Sequence, residues 1–174
     1  MRNVIIRTSS TGEVMIILQV GSQDQDSIEA IMQALQKAFP EVTSLNYVIN
    51  TKKNETFNDL EVINYAGRPY IEEEMNDPKT GAKLRFRIGP KSFYQTNSSQ
   101  AEKLYQIAYQ FADFKGDETV YDLYTGTGTI ANYIASSVAK VVGVEYVEAA
   151  VEDARINASV NELPNTEFFA GDMK

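Results

Sequence analysis

The sequence predicts an α/β protein in two parts, a mostly antiparallel α+β front followed by a parallel βαβαβ sheet. Three observations carry this. The front alternates short apolar runs with turn-rich segments around one amphipathic helix. From residue 119 the pattern becomes strand, helix, strand, helix, strand, the signature of a parallel sheet. The switch is marked by a Gly-x-Gly that directly follows a strand, at Gly126 and Gly128.

Residues 4–7 and 14–20 are apolar strands around Ser9-Ser10-Thr11-Gly12-Glu13, a hairpin with Gly at the turn. Asp26 or Ser27 caps a helix over 27–39, where Ile28, Ile31, Met32, Leu35 and Phe39 recur at helical spacing and Pro40 ends it. Strands follow at 42–49, 61–65 and 70–75, with Ala66-Gly67-Arg68 between the last two. Asn76-Asp77-Pro78-Lys79-Thr80-Gly81 is a turn by composition. In 83–88, Leu84, Phe86 and Ile88 point one way while Lys83, Arg85 and Arg87 point the other. That basic face either tracks a phosphate backbone or is a solvated face paired with Glu72, Glu73 and Glu74.

Ser98-Ser99-Gln100 caps a helix over 99–114, with Ala101, Leu104, Ile107, Ala108 and Phe111 on its apolar face. Strands at 119–124, 140–144 and 167–170 then enclose helices at 129–136 and 148–160. The domain division falls at 1–92 and 93–174.

Composition narrows the chemistry. The 174 residues contain no Cys and no His, so thiol nucleophiles, imidazole bases and Cys-based metal or iron–sulfur sites are excluded within this chain. No metal site is expected. Net charge is −8, from 24 acidic and 16 basic residues. No apolar run nears the roughly 18 to 20 residues of a membrane span, and the start has no signal-peptide pattern. The expectation is a cytoplasmic protein with no membrane partner.

The glycine loop can take a ligand against its backbone. Glu145 ends the second parallel strand, 19 positions after Gly126, where an acid can accept both hydroxyls of a ribose. Asp172 follows the third strand at the rim where open α/β sheets bind ligands. Together these predict a nucleoside-cofactor site. A nicotinamide dinucleotide would place its pyrophosphate at this loop. Asp122, just before the loop, disfavours that anion and suits a cofactor with an amino group, such as S-adenosyl-L-methionine.

Three stretches carry a family resemblance. Asp122 to Thr129 (Asp-Leu-Tyr-Thr-Gly-Thr-Gly-Thr), Val141 to Ala158, and Phe168 to Asp172 are similar to the RNA uracil-5-methyltransferases of rRNA and tRNA. Upstream, Phe93-Tyr94-Gln95-Thr96-Asn97 resembles that family's Phe-x-Gln-x-Asn segment, which generic methyltransferases lack. The resemblance implies a Rossmann-like S-adenosyl-L-methionine-dependent sheet of which 93–174 is the first half. It implies that Gln95 touches the cofactor and the target uracil, and that Phe93 packs beside the base. Tyr124, Thr129 and Glu145 line the pocket with Gly126, Gly128 and Asp122, and Asp172 sits near the adenine. Lys83, Arg85 and Arg87 lead into the base-contacting segment. The implied substrate is a uridine in RNA, 23S rRNA foremost.

The family's chemistry adds a Cys thiolate to uracil C6 and removes the C5 proton with a base. This chain has no such Cys, so no catalytic residue is assigned. The expectation is an internal fragment, inactive alone, whose 120–123 strand forms an apolar edge and invites self-association. A nicotinamide-dependent oxidoreductase fragment and a non-catalytic nucleotide-binding module are the alternatives.

Overall fold

Apolar alternation builds the first sheet in the computed structural model, which describes residues 1–172. Strands β1 (Asn3–Thr8) and β2 (Val14–Val20) pair antiparallel, with Gly12 at φ +83° in the turn. Helix α1 (Gln25–Ala38) carries the chain across to β3 (Ser44–Ile49), which lies parallel to β2. Strand β4 (Ile63–Gly67) adds antiparallel to β3, giving the order β1-β2-β3-β4. Ile28 and Met32 of α1 bury against Ile16, Leu18, Val20, Leu45 and Tyr47. The α1 cap is Asp24 rather than Asp26 or Ser27. Its carboxylate accepts the Ser27 N–H at 3.2 Å and the Ser27 hydroxyl at 2.7 Å, the three-residue reach of an N-cap.

Ala66 and Gly67, expected between two strands, belong to the end of β4, and the strands before and after Arg68 lie in different sheets. Strand β5 (Ile71–Asn76) leaves the first sheet and forms a two-stranded hairpin with β6 (Lys83–Ile88). Asp77 holds the connecting turn, accepting the N–H groups of Lys79 at 2.9 Å and Thr80 at 2.7 Å. The chain forms two compact units. One holds Met1–Ile71 with Gly89–Lys91; the other holds Glu72–Ile88 and the chain from Ser92 onward. The hairpin therefore sits with the second unit, whereas the division at 92/93 placed it in the first. The reason lies in the side chains of a later helix, which bond along β6.

Helix α2 (Ser98–Ala112) is capped one residue before the expected Ser98-Ser99-Gln100. Asn97 is the N-cap, its Oδ1 accepting the Gln100 N–H at 3.2 Å. The expected apolar face is also corrected. Ala101 is buried, but Leu104, Ile107 and Phe111 are exposed, Phe111 at 85%. The helix packs instead through two tyrosines. The Tyr105 ring meets Tyr133 at 5.9 Å, and the Tyr109 hydroxyl lies 3.0 Å from that of Ser137.

The second unit's sheet follows the expected alternation. Strands β7 (Thr119–Leu123), β8 (Lys140–Glu145) and β9 (Thr166–Ala170) lie parallel in that order. Helix α3 (Thr129–Ile134) tightens into a 3-10 turn over Ala135–Ser137, and α4 (Glu148–Val160) joins β8 to β9. Helix α4 packs on β8 and β9, and Val141, Val151, Ala154 and Phe168 are buried there.

Candidate functional site

Left-handed conformations at every second residue shape the loop after β7. Tyr124 takes φ +62°, Gly126 +57° and Gly128 +74°. A tyrosine there is strained, and strain of this kind collects at functional loops. Asp122 ties the loop down. Its Oδ2 accepts the Thr125 hydroxyl at 2.7 Å and the Ala131 N–H at 3.1 Å. Burial pushes the Asp122 carboxyl above its ordinary range, and these two hydrogen bonds pull the other way.

The two glycines do different work. A Cβ on Gly126 would meet nothing within 4 Å, so this backbone stands open to a ligand. A Cβ on Gly128 would lie 2.9 Å from the Ala154 Cβ and 3.1 Å from Asn132 Nδ2. Gly128 is thus a packing glycine that lets α3 and α4 approach. A Cβ on a third glycine, Gly143 on β8, would lie 2.5 Å from the Phe168 ring and 3.0 Å from Thr125 Cγ2, so its absent side chain makes room first for Phe168 and then for the loop.

Glu145 is brought to the loop as its spacing suggested. Its Oε2 accepts the Gly126 N–H at 3.1 Å and its Oε1 accepts the Val147 N–H at 3.0 Å. Its backbone carbonyl accepts the Gly171 N–H at 2.9 Å, which holds the exposed Asp172 one residue from that tie. Asp122, Tyr124, Gly126, Gly128, Thr129 and Glu145 therefore form one constellation. A carboxylate oxygen has two lone-pair directions, so each Glu145 oxygen keeps one for a hydroxyl. The open Gly126 backbone and a carboxylate beside it fit a nucleoside cofactor. Among the described residues, no group of three Asp or Glu side chains is placed to hold a metal ion.

The segment before α2 presents alternate side chains. Phe93 is 73% exposed and Gln95 is exposed, while Tyr94 between them is buried against Phe86 at 6.2 Å. Burial and the nearby Glu73 push the Tyr94 hydroxyl well above its ordinary value. Ser92 anchors the segment, its hydroxyl donating to Asp153 of α4 at 2.6 Å. The basic face of β6 meets carboxylates across the hairpin. Lys83 and Arg85 lie 3.8 and 3.5 Å from Glu74, and Arg87 lies 3.6 Å from Glu72.

Sequence reasoning missed Asp153 and Asn157 on α4 and Asn161 at its C-cap, three polar side chains four residues apart. The available signal was that spacing on an otherwise apolar face.

Known proteins resemble this chain in sequence and in fold. A model for a methyltransferase domain matches residues 114–174. A protein of Porphyromonas gingivalis called an uncharacterized RNA methyltransferase is 55% identical over 174 residues, which is 100% of this chain and 36% of that protein. One of the same description from Bacteroides thetaiotaomicron is 52% identical over 177 residues, covering 100% of this chain and 38% of its own. Over its whole length, this chain is similar to RNA methyltransferases. It spans little more than a third of those relatives. Among solved structures, the Pyrococcus abyssi tRNA (uracil-54, C5)-methyltransferase in complex with S-adenosyl-L-homocysteine superposes with a TM-score of 0.76 at 26% identity. That match covers 97% of this chain and 38% of the other, so both units share its fold. The family model reaches the glycine loop and Glu145 but not Phe93 or Gln95; the two bacterial relatives cover all four.

Proposed function

We propose that this chain is the cofactor-holding part of an S-adenosyl-L-methionine-dependent RNA methyltransferase that acts in the cytoplasm on C5 of a uridine, in 23S rRNA foremost. The observation that carries this is the Glu145 carboxylate held against the open Gly126 backbone by their own hydrogen bond. Glu145 takes the ribose hydroxyls, Asp172 the adenine edge, and Tyr124, Gly126 and Thr129 the walls. Asp122 and Gly128 keep the loop in shape. Bound there, the cofactor supplies an electrophilic methyl group.

Gln95 and Phe93, both exposed, face the uracil, and residues 1–92 form the RNA-facing side. Lys83, Arg85 and Arg87 reach phosphates beyond their pairing with Glu72 and Glu74. With no Cys or His, this chain supplies no thiolate for addition to uracil C6, and its residues alone leave RNA unmethylated. We also assign self-association to the β7 edge, where Tyr121 and Leu123 are exposed; concentration-dependent light scattering checks it, and a clean monomer contradicts it.

The test is methyl transfer. The full-length protein, given methyl-labelled S-adenosyl-L-methionine and ribosomal RNA, is expected to place label in 5-methyluridine. Label in a different nucleoside contradicts the uracil assignment. RNA affinity should fall with salt, and R85A should lower the salt slope by about one if Arg85 meets one phosphate.

A further inference from the structure

Helix α4 and its C-cap carry a polar stripe at Asp153, Asn157 and Asn161, and each member bonds to the stretch 85–92. Asn161 Oδ1 accepts the Arg85 N–H at 2.8 Å, and its Nδ2 donates to the Arg85 carbonyl at 2.7 Å. Asn157 repeats the pattern on Arg87, accepting its N–H at 2.7 Å and donating to its carbonyl at 3.4 Å. Each carboxamide thus bonds both backbone groups of one residue, as a neighbouring strand would. The spacing matches. Four helical residues rise about 6 Å and two strand residues about 6.6 Å. One edge of β6 is paired with β5, and α4 serves the other.

Asn157 does one thing more. The same Nδ2 donates to the Thr127 carbonyl at 3.1 Å, inside the glycine loop. Asn157 is 0% exposed, so this contact is shielded from water. One carboxamide therefore joins the cofactor loop to the strand that leads to Phe93 and Gln95. Asn161 docks the same strand with no bond to the loop, which makes it a built-in control.

We infer that Asn157 is a positioning residue that couples the cofactor loop to the substrate-facing strand, so that each responds to occupancy of the other's site. This rests on the cofactor reading above. Occupancy of the loop fixes the Thr127 carbonyl, Asn157 follows, and Arg87 is held. By linkage, RNA seated on the strand must favour the loaded loop by the same factor.

The experiment uses the full-length protein, S-adenosyl-L-homocysteine and a uridine-containing RNA. In the wild type, saturating S-adenosyl-L-homocysteine should tighten RNA binding several-fold, and RNA should tighten S-adenosyl-L-homocysteine equally. It should also slow hydrogen exchange at the Arg87 amide more than at the Arg85 amide. Asn157→Ala should reduce the coupling factor to about one, while Asn161→Ala retains it, although both lower thermal stability. Equal coupling in the two variants, or no coupling in the wild type, overturns the inference. If Asn157→Ala does not fold, the wild-type exchange comparison decides, and equal slowing at both amides overturns it. Absence of S-adenosyl-L-homocysteine binding by the wild type is a separate outcome, which defeats the cofactor reading first and this inference with it.

Discussion

Gly126 and Gly128 stand two residues apart and share left-handed backbone, yet their surroundings are opposite. A methyl group on Gly126 enters open space; on Gly128 it collides with Ala154 of α4. Both alanine substitutions meet the left-handed cost of roughly 1–2 kcal/mol. G128A adds overpacking of about 1–3 kcal/mol. Thermal melts should therefore rank G128A below G126A, by several degrees for a chain of this size. G126A should instead act on cofactor binding. The Gly-x-Gly spacing showed a turn but not what faces each Cα, because that neighbour comes from a helix about 30 residues downstream.

Asp122 gives a pH dependence at the same scale. Burial raises its folded carboxyl above the ordinary 3.8, so the folded state binds this proton more tightly than the unfolded chain. Asp122 therefore lowers stability as pH rises from the ordinary value through the raised one, and contributes no such loss below that window. Asp122→Asn keeps an acceptor for Thr125 and Ala131 while removing the charge. Denaturant unfolding at several pH values should show D122N losing this portion of the pH slope. It should be at least as stable as the wild type at neutral pH. Asp153, also raised by burial, contributes a slope of the same sign that D122N leaves in place. An unchanged slope in D122N would mean that Asp122 is not the titrating group. The sequence placed an acid before the loop and read it as facing a cation; the structure shows it holding the loop's own hydroxyl and N–H.

At the scale of elements, periodicity located every helix and strand, because apolar spacing and turn residues are local signals. It was weaker on which face is buried. In α2 the aliphatic residues Leu104, Ile107 and Phe111 looked like a core face, but aromatic contacts of Tyr105 and Tyr109 orient the helix. The cap shows the same limit. Asn97 lies within the Phe93–Asn97 segment that suggested RNA chemistry, and its side chain starts α2. Asn97→Ala should cost about 1 kcal/mol in urea unfolding, and Asn97→Asp should restore most of it. If both variants keep full stability, the capping role is wrong. The α4 stripe was missed for a different reason, although its four-residue spacing is visible in the sequence. Asparagines on a helix read as solvated, and only the tertiary fold shows them meeting the backbone of β6.

For the whole molecule, the parallel sheet of the second unit and the mostly antiparallel first sheet were legible from the change of pattern at residue 119. The hairpin's place in the second unit was not, since it depends on side-chain bonds 70 or more residues apart in sequence. The meeting of the glycine loop with Glu145 was legible because a strand end 19 residues on returns beside the loop in a right-handed βαβ unit.

The proposed S-adenosyl-L-methionine site depends on Glu145 above any other side chain. Calorimetric titration with S-adenosyl-L-homocysteine and with NADH, on the wild-type protein and on Glu145→Ala, tests it most directly. S-adenosyl-L-homocysteine is expected to bind, NADH is expected not to bind, and Glu145→Ala should weaken binding about tenfold or more, which is about 1.4 kcal/mol. Preferential binding of NADH, or S-adenosyl-L-homocysteine affinity unaffected by the loss of Glu145, would contradict it.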